Sequence, residues 1–215
     1  MKVSVIITCH NYARYLSRSI RSALNQALDR NDYEIIVVDD ASTDETQQVM
    51  SSYAGFIRPI VINENVGLAE ARNTGIKSAL GRYVINLDAD DYFDENILLV
   101  ESLFLGFNSK IDAVSCDYFE VNENEEHINR KNGLKNPIAC GIMFRKDLLF
   151  DVGLYDPAFR AREEEDLRTR FEKSYNIYNI DLPLYRYRKH DSNLTGNKKL
   201  MDQYNTELHK KHKRK

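Results

Sequence analysis

Residues 82–91 read RYVINLDADD: an apolar, β-prone run that ends in Asp88, Asp90 and Asp91. Gly81 precedes the run, and its length and composition are those of a buried strand. Carboxylates crowded this closely repel and raise one another's pKa. A strand tip built this way calls for a positive charge beside it.

The same pattern occurs upstream. VSVIIT (3–8), EIIVVD (34–39) and PIVIN (59–63) are short apolar runs of strand length. Between them lie helical patterns. Leu16, Ile20, Ala23, Leu24, Ala27 and Leu28 repeat at spacings of three and four, which is the signature of one buried helix face. STDETQQVMSSY (42–53) opens with Ser and Thr as candidate N-caps and acids in its first turn, as helix starts favour. GLAEARNTGIKSAL (67–80) and ENILLVESLFLGF (95–107) are further helices. Strands alternating with helices specify a parallel sheet with right-handed crossovers, and such sheets bind ligands beyond the carboxyl ends of their strands. TCHNY (8–12), DDASTD (39–44) and DADD (88–91) therefore fall on one edge.

Beyond residue 110 the pattern changes. DAVSCDYFEV (112–121) and IACGIMFR (138–145) read as strands, and NENEEHINRKNG (122–133) as a hairpin or loop. KDLLFDVG (146–153) and EEEDLRTRFEKSY (163–175) read as helices, and LYRYRKH (184–190) as a last extended piece. The expectation is an α/β fold in one domain over residues 1–215. Residues 1–107 form a nucleotide-type half, 108–200 cover one side of it, and 201–215 are a basic tail.

Composition narrows the function classes. The chain has 215 residues, 42% of them hydrophobic, enough for a sizeable core. No apolar run approaches the roughly 20 residues of a membrane span. Lys2 leads straight into a strand without a signal-peptide layout. Cys9, Cys116 and Cys140 form no CxxC pair, which argues against a disulfide framework or zinc site and for a reducing, cytoplasmic setting. The last seven residues, HKKHKRK, carry five Lys or Arg, leaving 25 basic against 33 acidic residues elsewhere. An acidic body repels phosphate backbones, so nucleic acid is not an expected partner. The tail reads either as a frayed terminus or as peripheral attachment to the anionic inner face of a membrane.

Several residues carry candidate chemistry. Alternation along an extended segment puts Asp88 and Asp90 on one side. Paired carboxylates suit a hard cation, Mg²⁺ or Mn²⁺, with positions left open for phosphate; the plainer reading is a helix cap and a solvated turn. In VVDDASTDET (37–46), Asp39 or Asp40 either caps the following turn or accepts the imide N–H of uracil, thymine or guanine. In NVGLAEARNTG (65–75), Arg72 is either a surface residue or a donor to a base carbonyl or phosphate. Walker A, GxGxxG and GxSxG patterns are absent. A nucleotidyltransferase would want a glycine-rich loop after the first strand, and TCHNY has no glycine.

These pieces, in this order, resemble a family 2 glycosyltransferase of the GT-A fold. The resemblance rests on VSVIITCHNYARYL with SIRSALNQ, IIVVDDASTDET, NVGLAEARNTGI, GRYVINLDADD, ACGIMFRKDLLFDVGLYDPAF, REEEDLRTRF and LYRYRKHDSN, and covers nearly the whole chain. It implies inverting transfer from a nucleotide-diphospho-sugar, UDP-sugar first, to a hydroxyl of a saccharide or lipid-linked saccharide. The products would be surface polysaccharide, lipopolysaccharide or glycolipid. It implies Thr8, His10 and Asn11 lining the nucleotide site, His10 standing where an aromatic is usual, with Asp40 on the base and Arg72 assisting. Asp88 would reach the ribose or the metal, and Asp90 the metal, with Asp91 behind them. His190 falls where the family often has a histidine near the diphosphate, as a metal or pyrophosphate ligand. The general base comes from a Glu-Asp pair on a later helix. Registering on Leu167, Arg170 and Phe171 makes the pair Glu163-Glu164 and the base Glu164, with Asp166 the competitor if the register slips by two. Residues 164 and 166 point roughly 200° apart on a helix, so only one can face the sugar. His127 is given no role. Tyr185 and Tyr187, alternating with Arg186 and Arg188, are expected to pack on one side and meet solvent, or an acceptor, on the other. The Glu in place of Asp keeps alive an alternative, a catalytically inactive sugar-nucleotide-binding or scaffold protein.

Overall fold

The computed structural model describes residues 2–191, 193, 196 and 198–213, and the chain is α/β as its pattern predicts. Strand β1 (Val3–Cys9) is followed by α1 (Ala13–Leu24), β2 (Tyr33–Asp40), α2 (Thr46–Ser52), β3 (Arg58–Ile62), α3 (Leu68–Ser78) and β4 (Tyr83–Asp88). β1 lies between β2 and β4, with β3 outside β2, and all four run parallel. The register pairs Thr8 with Asp88 and Cys9 with Asp39, so the polar tips read from sequence end level with one another.

The second half continues the same sheet. After β5 (Tyr92–Phe93) and α4 (Ile97–Phe107) come β6 (Ala113–Val121), β7 (His127–Lys131), β8 (Ile142–Arg145), α5 (Lys146–Asp151), α6 (Glu163–Phe171), β9 (Ile177–Arg188) and α7 (Lys198–Lys213). β8 pairs antiparallel with β4 and β6, and β9 runs parallel to β6 and closes on β5. The polar stretch 122–133 resolves as a hairpin, β7 against β6. The strand expected over 138–145 is confined to Ile142–Arg145, and the last strand starts at Ile177 rather than 184.

Helix α3 shows how packing positions the site. Ala69, Arg72, Asn73 and Ile76 repeat at helical spacing and are all buried. Gly75 lets the helix press against β1, since a Cβ there would collide with Ile6. Arg72 is thereby carried into the interior on a face that is otherwise small or apolar. The helix expected from residue 42 begins at Thr46, and Asp44 ahead of it accepts from the Thr46 amide (3.1 Å) and from the Ala13 amide at the start of α1 (3.0 Å).

The tail departs from the frayed reading. Residues 198–213 form α7, whose Tyr204 and Leu208 bury against Phe159 and Ala161. Arg214 and Lys215 lie outside the described residues. No helix among the described residues is long and apolar enough to cross a membrane.

One core carboxyl stands apart. Glu101 on α4 is fully buried, and neither oxygen has a hydrogen-bond partner among the described residues. Burial pushes its carboxyl well above the ordinary range, and the Cys116 thiol beside it is pushed up in turn, by burial first and then by Glu101. A carboxyl whose folded pKa is raised makes folding bind a proton, so stability falls as pH climbs above its unfolded value. Glu101→Met should therefore stabilise the protein by about 1–3 kcal/mol near pH 8 and by less near pH 5, read as paired melting curves.

Candidate active site

A cavity of about 420 Å³ opens beyond the carboxyl ends of β1, β2 and β4. Thr8, His10, Asp40, Arg72, Asp88 and Asp90 line it, with Glu163 and Glu164 opposite. Asp40 and Asp90 thus face one concavity. Asn11 and Asp166, both expected at the site, are not on its wall, and neither is the His190 side chain.

The positive charge at the β4 tip is Arg72. Its side chain is 1% exposed, with Nη2 2.7 Å from Asp88 Oδ1 and Nη1 2.6 Å from Glu163 Oε1. Burial works against its charge, but Asp88, Cys140 and Glu163 outweigh burial and hold it protonated. Arg72 is neither a surface residue nor free to reach a base. It is the bridge between the β4 tip and the start of α6.

The neighbouring aspartates are held by the other flank of the sheet. Asp91 is buried, accepting from Tyr185 Oη (2.6 Å) and the Arg188 amide (2.7 Å); burial, then Asp90 and Asp88, push its carboxyl well up. Arg188 is itself buried and donates from Nε to the Asp90 carbonyl at 2.8 Å. Arg186, the other basic residue of the strip, pairs with Asp94. Of the strip expected over 185–188, Tyr185 and Arg188 are thus committed to the aspartate turn, Arg186 to Asp94, while Tyr187 lines the cavity. His190 Nε2 sits 2.9 Å from Asp90 Oδ2 with its side chain buried against Tyr15. It orients Asp90 from behind.

On the nucleotide side, His10 Nδ1 is 2.6 Å from the Asp40 carbonyl. Asn11, in the left-handed region at φ 59°, uses its side-chain oxygen to accept from the Thr43 amide at 2.7 Å, tying the β1 and β2 loops together. Both Asp40 oxygens accept main-chain N–H groups, from Val66 and Gly67, each at 2.8 Å. Each carboxylate oxygen has two lone pairs, so accepting capacity remains on the cavity side.

Helix α6 begins after Arg162, held left-handed at φ 60°. The next four acids have four fates. Glu163 binds Arg72, Glu164 lines the cavity, Glu165 pairs with Arg162, and Asp166 turns away. Asp166 is fully buried between Arg170 (2.8 Å), Lys211 (2.6 Å) and His212 (2.9 Å). Burial alone would raise its carboxyl, but Lys211 and Arg170 hold it below the usual range. Glu164 is the opposite case: burial and the adjacent Glu163 push it up to about 8.

The carboxylates at the β4 tip suit a hard divalent cation. One oxygen of each is fixed by a neighbour, Asp88 Oδ1 by Arg72 and Asp90 Oδ2 by His190, and both residues line the cavity. No cluster of three His, Cys, Asp or Glu forms a protein cage among the described residues. Mg²⁺ and Mn²⁺ sites with one or two carboxylates commonly complete their shell from substrate phosphate and water.

Sequence reading missed Arg188, Tyr185 and Asp44 as site supports, and Met201 of α7 as a cavity wall. The spacing of Ala69, Arg72, Asn73 and Ile76 is the signal that could have marked Arg72 as buried.

A parallel sheet with a carboxylate-floored cavity at its strand ends defines a GT-A-like fold. The chain is similar in structure to S. aureus TarS 1-349 in complex with UDP-GlcNAc, with a TM-score of 0.80 at 22% identity over 92% of this chain and 61% of that one. It is also similar to the mannosyltransferase PcManGT from Pyrobaculum calidifontis in complex with GDP-Man and Mn²⁺, with a TM-score of 0.77 at 20% identity over 100% of this chain and 64% of that one. Residues 4–171 match the family model Glycosyl transferase family 2, and the chain belongs to that family. Among curated relatives it is 43% identical to the poly(ribitol-phosphate) beta-N-acetylglucosaminyltransferase TarP of Staphylococcus aureus (strain N315) over 100 residues, 45% of this chain and 31% of TarP. The chain spans less than two thirds of each of these three proteins.

Removing the bridging cation should strip the buried Glu163 and the half-buried Asp88 of their partner. Arg72→Met is expected to lose about 3–5 kcal/mol of stability, measured by urea unfolding, and Arg72→Lys should recover only part because one ammonium cannot bridge both acids. Asp166→Asn should free α7 instead, seen as faster tryptic cleavage within 198–213. Because the folded pKa of Asp166 is depressed, its latch holds above the ordinary Asp pKa, about 3.9, and weakens as pH falls through the folded value.

Proposed function

We propose that the chain transfers a sugar, with inversion, from a nucleoside-diphosphate-sugar to a hydroxyl of a saccharide or lipid-linked saccharide of the cell surface, with Glu164 as general base. The observation that carries this reading is the placement of Glu164, the acid at the base position of the motif, on the same 420 Å³ cavity as Asp40, Asp88 and Asp90. The UDP-GlcNAc and GDP-Man complexes of the two structural relatives support the donor class. The poly(ribitol-phosphate) named for TarP supports a surface-polymer acceptor.

In this reading Thr8, His10 and Asp40 receive the nucleoside, and Asp88 and Asp90 hold Mg²⁺ or Mn²⁺. The cation, when bound, acts as a Lewis acid on the diphosphate oxygens. Glu164 accepts the proton of the acceptor hydroxyl as its oxygen bonds to the anomeric carbon. The bond to the diphosphate oxygen breaks on the opposite face, and its electron pair leaves with the nucleoside diphosphate. Glu163 and Arg72 set the height of Glu164 relative to Asp88, and Asp166 takes no part in proton transfer. In the tail, Lys211 and His212 are engaged with Asp166 of α6. Lys210 and Lys213 are exposed and left to meet an anionic surface.

Thermal-shift screening of UDP-, dTDP- and GDP-sugars with and without Mn²⁺ tests the donor, since a ligand of the folded state must raise the melting point. Glu164→Gln should keep nucleotide affinity and lower transfer by about 10²–10⁴-fold. With its pKa raised to about 8, Glu164 is mostly protonated at neutral pH. Turnover at saturating donor should therefore rise with pH and level off above about 8. A profile flat from pH 6 to 9, with full turnover in Glu164→Gln, would remove Glu164 as the base.

A further inference from the structure

One cation on the cavity wall has no part in the reaction just described. Arg160 is exposed on the loop leading into α6, and its Nη1 lies 3.4 Å from Asn65 Oδ1. Asn65 Nδ2 in turn donates to the Asp40 carbonyl at 3.4 Å. The guanidinium rests against Gly67, where a Cβ would collide with it. Asp40, Asn65, Gly67 and Arg160 all line the cavity, on its β2–α3 side.

The charge balance singles this residue out. Arg72 is spent on Asp88 and Glu163, and Arg162 on Glu165. Arg160 alone among the described Lys and Arg of this wall has no carboxylate partner. It stands beside Asp40, so the two present a donor and an acceptor on either side of Gly67. An N–H flanked by a carbonyl is the complement of that pair. Uracil, thymine and guanine carry this edge; cytosine and adenine put an amino group where the carbonyl would be.

We propose that Arg160 is a specificity-determining residue, donating to the base carbonyl next to the imide N–H that Asp40 accepts, so that the donor carries a keto base. This rests on the nucleotide-sugar reading above and assigns to Arg160 the carbonyl contact that buried Arg72 cannot make. An amino group there would set N–H against N–H and leave the Arg160 donor without its acceptor. That mismatch is worth roughly tenfold or more in affinity.

The test compares UDP with CDP, and GDP with ADP, by calorimetric titration of the full chain in Mn²⁺, for the wild type and for Arg160→Met and Arg160→Lys. The wild type should favour the keto member of at least one pair by tenfold or more. Arg160→Met should shrink that ratio about tenfold, with an unchanged melting point without ligand, and Arg160→Lys should restore part of it. Equal weakening of both members, as expected of a phosphate clamp or a base-stacking cation, overturns the proposal, as does an unchanged ratio. Wild-type binding without discrimination also overturns it while leaving the nucleotide-sugar reading intact. No nucleotide binding at all defeats that reading first, and this proposal with it.

Discussion

The site depends on one buried guanidinium satisfying two carboxylates from distant parts of the chain. Arg72 comes from α3, Asp88 from the tip of β4 and Glu163 from the start of α6. Taking a guanidinium out of water costs several kcal/mol, and a single carboxylate at this depth would hardly offset it. With two, at 2.7 and 2.6 Å, the fork geometry of arginine is used on both sides. The bridge fixes the distance between the floor of the cavity and the helix opposite it. Catalytic groups on two elements need that fixed spacing, because in-line displacement tolerates little error in position.

Helix periodicity then sorts the four consecutive acids of α6. Successive residues turn by about 100°, so Glu163 reaches Arg72, Glu164 the cavity, Glu165 the Arg162 guanidinium, and Asp166 the far side. Arg170, Lys211 and His212 meet Asp166 there, the last two from α7. Acidic and basic segments that look like solvated charge runs in one dimension are each other's counter-ions in three. The docking also explains why Met201 of α7 can form part of the cavity wall. Arg162 Nε holds the Met201 carbonyl at 3.0 Å, on the residue directly before the acids.

The fold was legible because hydrophobic period and turn chemistry act locally. VSVIIT, EIIVVD and RYVINL could be nothing but buried strands, and the edge on which their polar tips meet follows from parallel topology alone. The site was legible only where a motif fixed the residue, as with Asp88, Asp90 and Glu164. What the sequence concealed was partnership. A metal was the natural answer to three clustered aspartates, yet Arg72, Arg188 and His190 lie 16, 97 and 100 residues from the aspartate groups they meet. Such separations carry no local signal. The alternation of Tyr185 to Arg188 was visible, but not that Tyr185 and Arg188 are both buried against Asp91 and Asp90, since that depends on β9 lying between β6 and β5. Asn11 looked like a ligand-facing residue for the same reason; its left-handed backbone and its bond to Thr43 are settled by the neighbouring loop.

The different protonation of Glu164 and Asp166 follows from the same arrangement. Both are acids at the start of one helix, where the dipole favours negative charge equally. Asp166 has cations within 3 Å on several sides and stays ionised despite its burial. Glu164 has as its nearest charge the like charge of Glu163, and the cation that could relieve it, Arg72, is turned to Glu163 and Asp88. Burial without a counter-ion leaves it ready to hold a proton near neutral pH, which is the condition under which a carboxylate is basic enough to take one from a hydroxyl.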